Sequence, residues 1–511
     1  MSAGVLRGRE LEGDLSLACQ VCVVGTGAGG AAAAARLAVA GHDVVAVEAG
    51  GYHAAADFDQ RELAMLEAMY AEDGRRATSD LAIPVLCGRS VGGSTTHNTG
   101  YVYRAPPAIL DRWRREAGVD WSEDDAARLY HEAATDIGVT DAQPSDLNRN
   151  NALVLDGARA LGWRARRTAH NRSGGCSGCG YCMLGCAYNR KQSALVTYVP
   201  RFLAAGGRLV ADAPALRIRR DRGAWRVDGI FRRADKSPSG HRYAISAQRV
   251  VVAAGAIDTP ALLERSGLGG PARGRRLRLH PAAAVAARFD EPVVAWRGVP
   301  QMAMVEEFAS FFDDGYGGYL LMPVSATPAL LAPLVPGIGF AHRSAMAELP
   351  HVAFGCALVH DETAGRVRDR AGPGLRPRID YWPDRADTAT LLRGIADLAR
   401  LYFAAGAREC RLPLEGSPPA RDPTEVDRIL ARCNPAPHRL LLQSVHPQGS
   451  CPMGANPRTC VARPDQELHD APGIHLADTS LFPCSLGVPP QLTAMALGLR
   501  AAERIGAASA R

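Results

Sequence analysis

Val21-Cys22-Val23-Val24-Gly25-Thr26-Gly27-Ala28-Gly29-Gly30-Ala31 is the stretch on which the reading of this chain turns. The apolar run from Cys19 to Val24 has the length of a buried parallel strand. A glycine-rich turn follows, Gly25 to Gly30, and then Ala31 to Ala40, whose composition predicts a helix. After Gly41-His42 a second apolar run, Val44 to Val47, ends on Glu48. Strand, tight turn, helix, strand and acid in that order form the G-x-G-x-x-G dinucleotide fingerprint in its proper setting. Gly25 lets the chain turn, Gly27 lets the backbone approach a pyrophosphate, and Gly30 lets the helix pack closely on the strand. The helix N-terminus offers free N–H groups and a partial positive charge to that phosphate. Glu48 is placed to accept hydrogen bonds from the adenosine ribose.

A chain of 511 residues is too long for one core and predicts two or three structural units. With 47% hydrophobic and 22% charged residues the composition is that of an ordinary globular protein. No apolar run reaches membrane-spanning length, because Arg36 interrupts the best candidate. Met1 to Leu17 is charged and lacks the apolar stretch of a signal peptide. The formal net charge is +6, yet Lys191 and Lys236 are the only lysines and the arginines are dispersed, so no phosphate-binding surface for nucleic acid is expected. Thirteen cysteines without an export signal predict a reducing, cytoplasmic location.

Outward from the fingerprint, helical patterns are expected near 61–75, 108–117, 122–137, 152–161 and 386–405. A second glycine-rich loop, Cys87 to Asn98, again suggests backbone wrapped around a polar cofactor. Val199 to Gly269 reads as a second βαβ-like unit, with strands near Leu209, Trp225 and Val250 to Ala254. From Glu291 to about Asp380, short apolar runs broken by Gly and Pro predict a mainly antiparallel sheet. The fold class is therefore α/β: a doubly wound, Rossmann-like domain joined to a second domain on a mainly antiparallel sheet. The expected partition is discontinuous, with residues 1–110, 190–290 and 440–511 binding the cofactor. Residues 111–189 form a helical, cysteine-rich insertion and 291–439 a substrate domain.

Four segments together resemble the glucose–methanol–choline (GMC) family of flavin oxidoreductases. They are the fingerprint, the run Gly88-Arg89-Ser90-Val91-Gly92-Gly93-Ser94-Thr95, the run Gly255 to Gly269, and a C-terminal block. That block holds His446-Pro447-Gln448-Gly449-Ser450-Cys451-Pro452-Met453-Gly454, then Leu476 to Pro483, then the helix from Pro490. The resemblance implies FAD, with Gly25, Gly27, Gly30, Glu48, Arg89, Gly93, Ser94, His97, Asn98, Asp478, Pro490 and Gln491 around it. Asp478 resembles the acid that meets the flavin phosphate or ribityl chain. The N-terminus of the last helix would face the pyrimidine edge, where a helix dipole stabilises the anionic reduced flavin. Thr96-His97-Asn98 resembles the setting in which a histidine bonds covalently to the flavin 8α carbon; the alternative is a noncovalent histidine lining the pocket.

Oxidation of a C–OH group by hydride transfer to flavin N5 needs a base for the hydroxyl proton, and His446 suits that role. The family usually places His or Asn just before the final proline of the last loop. Here that position is Pro489, so Gln491 or His97 substitutes, or one base suffices. His280 and His475 are further candidates near the flavin, each read as a satisfied structural histidine, and Cys451 is read as a packed small residue, with a redox thiol as the alternative. Cys176-x2-Cys179-x2-Cys182-x3-Cys186 has the spacing of a ferredoxin run and so is a candidate iron–sulfur site, with zinc, disulfides or structural thiols as alternatives. The apolar segments Tyr319 to Leu334 and Val352 to Val359 favour a sterol, terpenoid or long-chain alcohol over a sugar. The electron acceptor would be O₂, a quinone or a redox protein. Two other functions fit the same motifs: a lyase, isomerase or photodecarboxylase without net redox chemistry, or an electron-transferring dehydrogenase subunit.

Overall fold

The computed structural model describes residues 4–324, 327–332, 335, 337–370 and 376–509. Parts of the apolar segment Tyr319 to Leu334 therefore lie outside the described residues. The N-terminal third supplies β1 (Val5–Arg7), β2 (Leu15–Val24), α1 (Ala28–Val39) and β3 (Val44–Val47). The middle supplies β4 (Ala165–Arg167), β5 (Arg208–Ala211), β6 (Ala215–Asp221), β7 (Ala224–Arg232), β8 (Pro238–Val252), α2 (Gly255–Ser266) and β9 (Ala282–Arg288). Then come β10 (Ala303–Val305), β11 (Tyr319–Pro323), β12 (Val352–Val359), α3 (Arg385–Ala404), β13 (Glu409–Arg411), β14 (Ile474–Leu476) and α4 (Gln491–Ser509).

The first sheet has the order β1-β5-β3-β2-β8-β7-β6, with β14 also paired to β8. Its strands from β1 to β8, and β14, are parallel, as a doubly wound domain requires. Burial along β2 alternates up to Gln20 and then becomes complete over Val21–Val24, where helices cover the sheet. Ala31 to Ala35 of α1 are all buried, so this helix is enclosed on every side and only small side chains fit. Gly30 shows how close the contact is: a Cβ there would stand 2.0 Å from Gly25 O and 2.9 Å from Ala253 Cβ. Helix α1 starts at Ala28, so the fingerprint glycines Gly29 and Gly30 already belong to its first turn.

Register places the strand ends together. Val24 pairs with Val47 and Val252, Val47 with Val210, and Val252 with Leu476. The residues that follow, Gly25, Glu48, Ala253 and Asp478, consequently converge on one crevice at the carboxyl edge of the sheet, where open α/β sheets bind ligands.

The second sheet is antiparallel throughout, in the order β13-β9-β12-β11-β10-β4. Period-two alternation splits its side chains between two apolar layers. Leu320, Met322, Cys356 and Leu358 join the core of the first domain, whereas Leu321, Ala357 and Val359 pack with Leu391, Ile395 and Leu398 of α3. Strand β9, drawn from the segment 190–290 assigned to cofactor binding, hydrogen-bonds in this second sheet, and β4 from the 111–189 insertion forms its edge.

Val199 to Gly269 does not form a second βαβ unit. Strands β6, β7 and β8 are successive antiparallel partners, and only β8 continues into the parallel sheet. The connections explain this: the short turns after Asp221 and Arg232 can join antiparallel neighbours, whereas a parallel return needs a crossover of a dozen residues or more.

Candidate active site

A single cavity runs from the carboxyl edge of the first sheet to the inner face of the second. At one end it is lined by Gly25, Gly27, Glu48, Arg89, Gly93 and Arg232, and at the other by Met322, Leu330, Cys356, Leu358 and His446. Of the residues singled out in the sequence for the cofactor and its chemistry, Ser94, His97, Asn98, Asp478, Pro490 and Gln491 also line it. Gly30 does not; it is occupied with helix packing. His475 and Cys451 are buried away from the cavity lining.

The nucleotide end is built from two glycine-rich loops in direct contact. Gly93 has φ +53°, and a Cβ on it would lie 2.6 Å from Gly27 Cα, so the second loop closes on the first only without a side chain. Thr26 joins them: its backbone N–H and its hydroxyl donate to Glu48 Oε2 at 2.9 and 2.8 Å. Gly50 N donates to the other Glu48 oxygen at 3.0 Å. Burial pushes the Glu48 carboxyl up, and these three donors oppose the shift. Asp478 is held in the same manner, by Gly255 N and Thr259 Oγ1 on Oδ2 (2.9 and 2.6 Å) and by Ser480 N on Oδ1 (2.8 Å).

Two guanidiniums face this half of the cavity. Among the described residues neither Arg89 nor Arg232 has a carboxylate within ion-pair distance, and the Nε of Arg232 lacks a hydrogen-bond partner. Burial lowers the pKa of both, that of Arg232 to about 10 with help from the neighbouring Arg89. Unpaired cations beside a glycine cradle and a helix N-terminus suit a bound diphosphate. Arg232 was not singled out in the sequence, where it is one arginine among many.

Three histidines stand in or behind the cavity wall. His446 lies half-buried on the cavity wall; its Nδ1 is buried without a partner among the described residues, and burial holds its pKa down to about 4. His97 is buried against Tyr70, with ring centroids 3.9 Å apart. Its Nε2 has no partner among the described residues, and burial together with the charge of Lys191 lowers its pKa to about 3. His280 sits behind His446, ring centroids 5.2 Å apart, and is completely buried.

Gln491 is less free. Its Oε1 accepts from Asn98 Nδ2 at 2.5 Å and its Nε2 donates to Tyr101 O at 3.3 Å, so both ends of the amide are engaged. Pro489 lines the cavity without a donor to offer.

The four cysteines of the ferredoxin-like run line one small separate cavity, beside Thr99, Gly100 and Lys191. Lys191 bridges the two sites: its Nζ donates to Asn98 O at 2.7 Å and to Cys182 O at 2.5 Å. Burial lowers the Lys191 pKa to about 8 and raises that of Cys182 to about 12. Cys186 Sγ accepts from the backbone N–H groups of Arg190 and Lys191 at 3.3 and 3.5 Å. All thirteen cysteines are free thiols, so the disulfide alternative is not realised. Among the described residues no group of three or more His, Cys, Asp and Glu side chains is disposed to hold a metal ion; Cys176, Cys179, Cys182 and Cys186 stand as free thiols on turns with glycines at Gly178, Gly180 and Gly185.

A nucleotide cradle that opens onto a second, antiparallel domain, with neutral imidazoles between them, is the arrangement of a two-domain redox enzyme with a dinucleotide cofactor. A family model described as GMC oxidoreductase matches the chain in two parts, residues 66–282 and 361–498. A GMC-type oxidoreductase of Mycobacterium tuberculosis is 36% identical over 488 residues, 94% of this chain and 75% of the relative. A long-chain-alcohol oxidase of Arabidopsis thaliana is 27% identical over 510 residues, covering 94% of this chain and 68% of the plant protein. In fold the chain is similar to the crystal structure of pyridoxine 4-oxidase from Mesorbium loti, with a TM-score of 0.71 and 18% identity over 96% of this chain and 99% of that one. The chain belongs to the GMC oxidoreductase family and is a flavin-dependent oxidoreductase. Among the described residues no helix is long and apolar enough to cross a membrane.

Proposed function

We propose that this protein oxidises an uncharged, largely apolar alcohol to an aldehyde or ketone, with His446 taking the hydroxyl proton. The observation that carries the reading is the position of His446. His446 lines the same cavity as the nucleotide cradle and the apolar side chains of Met322, Cys356 and Leu358. FAD, when bound, accepts the hydride released from the alcohol carbon. Gly25, Gly27, Glu48, Arg89, Arg232, Gly93, Ser94 and Asp478 would hold it. A histidine whose protonated form is disfavoured by burial is neutral at ordinary pH, which is the state a general base requires. With Pro489 lacking a donor and the Gln491 amide engaged, His446 acts as the single base, and Gln491 positions Asn98 instead.

The apolar floor supports the substrate class. Val324 and Leu330 extend it. The Arabidopsis relatives are named long-chain-alcohol oxidases, which is the same chemistry on the same kind of substrate. The test is anaerobic reduction of the yellow holoenzyme by a panel of alcohols, from ethanol through 1-dodecanol to a sterol and a sugar. Bleaching fastest with 1-dodecanol or the sterol is the expected outcome. A flavin that no alcohol bleaches would overturn the reading and leave the non-redox alternative.

The same reading includes covalent attachment of the cofactor through His97. Its unpartnered Nε2 and low pKa keep the ring nitrogen's lone pair available to a flavin carbon. Acid precipitation should leave the yellow colour in the pellet, and His97→Ala should release it. A colourless wild-type pellet would refute attachment without touching the proposed oxidation.

A further inference from the structure

Behind His446 the structure contains two more buried imidazoles that the reaction, as so far described, does not use. His280 is 0% exposed and His360 1% exposed. Their segments lie edge to edge: Val359 N donates to Pro281 O at 3.1 Å, and Leu279 N to Asp361 Oδ2 at 3.0 Å. This extends the β9–β12 register past the Ala282–Leu358 pair and places His280, at φ +50°, near enough to His360 to feel its charge. His360 stacks on Phe311, ring centroids 5.2 Å apart, and its Nδ1 stands 3.6 Å from Glu362 Oε1. Glu362 reaches the surface with a side chain 36% exposed and is clamped by Arg112 at 2.5 and 3.0 Å. Imidazoles therefore succeed one another from the cavity wall to a surface carboxylate.

Among the described residues no close hydrogen-bond partner stands at the ring nitrogens of His280 and His360 or at Nδ1 of His446, although His280 leans on the backbone at Gly487 and His360 on that at Ser485. Buried polar atoms are nearly always paired, so several orphans in one file call for a role. Nothing structural is gained by them: an unpaired buried imidazole costs more than a leucine of similar size. Imidazole is the side chain that can accept a proton on one nitrogen while releasing another from the opposite nitrogen.

We propose that His280 and His360 carry the proton released at His446 outward to Glu362 and the solvent. Oxidation of the alcohol breaks its O–H and C–H bonds; the hydride goes to the cofactor and the proton to His446. The proton then passes from the inner nitrogen of His446 to His280, next to His360, and finally to the Glu362 carboxylate, which yields it to water. Each transfer restores a neutral imidazole, and no electrons move along the file. The other charged groups packed around it, Arg278, Arg112 and Asp361, stay in place. Asp361 is tied by Leu279 N, by Tyr381 OH at 2.8 Å and by Ser485 Oγ at 2.7 Å, so it supports the file without joining it.

The proposal rests on His446 as base, and the experiment separates the two. Single-turnover reduction of the holoenzyme by 1-dodecanol, or by the fastest alcohol of the panel, is followed with a pH-indicator dye in weak buffer. In His280→Phe and His360→Phe, proton release should lag flavin bleaching, and turnover should fall about tenfold with a changed solvent isotope effect. Added imidazole should restore much of it. Glu362→Gln, which leaves the buried rings intact, should show a smaller lag of the same kind. A second measurement needs no substrate: in oxidised holoenzyme with ¹³Cε1-labelled histidine, His280→Phe should shift the His446 titration, because the ring 5.2 Å away that would share its proton is gone. Unchanged lag, isotope effect and titration in all three variants would overturn the relay. If His446→Ala itself keeps full turnover, the base assignment fails first.

Discussion

Carboxylates and imidazoles are buried side by side in this cavity and are treated in opposite ways. Glu48 and Asp478 each accept three hydrogen bonds, all from groups on the turns and helix starts around them. His446, His97, His280 and His360 each leave at least one buried nitrogen unpaired among the described residues. A carboxylate saturated by backbone N–H groups fixes the loops that donate to it and has little freedom for proton chemistry. An unsaturated imidazole fixes nothing around it and is free to bind or move a proton. The comparison separates the groups that build the site from the groups that act in it.

The largest effect should come from the acting side. His446→Ala is expected to lower the rate of anaerobic flavin reduction by about 10²–10⁴-fold, with the flavin absorbance and the unfolding midpoint unchanged. A variant that reduces at the wild-type rate would remove His446 from the chemistry, and one that loses its flavin would place it among the building groups instead.

On the building side the signature reverses. Asp478→Ala strips the acceptor from Gly255 N, Thr259 Oγ1 and Ser480 N, all of them at or near turns that line the cavity. Each donor left unpaired costs about 1–3 kcal/mol. The expected result is weakened flavin retention, measured as free flavin after gel filtration, and a lower unfolding midpoint. In the fraction that keeps its flavin, the reduction rate should stay within about tenfold of wild type. Full flavin retention with a rate collapse like that of His446→Ala would erase the distinction between the two groups.

How much of this was legible in the sequence follows the same division. The building groups declare themselves because backbone geometry writes its demands locally. Gly25 and Gly93 take positive φ, where glycine alone sits without strain, and Glu48 follows a strand of fixed length. The doubly wound character of the first sheet and the antiparallel character of the second were legible for that reason. The acting and lining groups depend on partners far away in the chain. Nothing near Arg232 marks it as a cavity cation, and nothing near His360 marks it as the neighbour of His280, 80 residues distant. The apolar floor is equally silent, since Met322 and Leu321 look alike until the sheet assigns one to the cavity and the other to α3. The antiparallel meander β6–β7–β8 was missed because apolar content outweighed turn length in the reading. The four cysteines stand between these cases: their spacing is legible in the sequence, but the directions they take on a turn-rich segment are not.

The smallest effect expected is on acid stability, because the two sides partly cancel. Burial depresses His97 to about 3 and His170, His360, His446 and His475 to about 4. In the unfolded chain these groups titrate near 6.5, so below that pH the unfolded state binds protons that the folded state refuses, and stability is lost as pH falls toward 4. Asp361, raised to about 6, and Glu306, raised to about 7, act with the opposite sign. Their folded forms take up protons before their unfolded forms do, so they gain stability over the same interval. With His53 and His280 also depressed and Glu48 and Asp478 also raised, seven imidazoles against four carboxyls leave a net loss. The unfolding midpoint, followed by flavin fluorescence, should therefore decline between about pH 6.5 and pH 4.5. Asp361→Asn should steepen that decline, since it deletes a carboxyl of opposing sign while keeping an acceptor for Tyr381 and Ser485. A midpoint that rises on acidification would mean that the imidazoles are protonated in the folded protein, and their part in the comparison would fall.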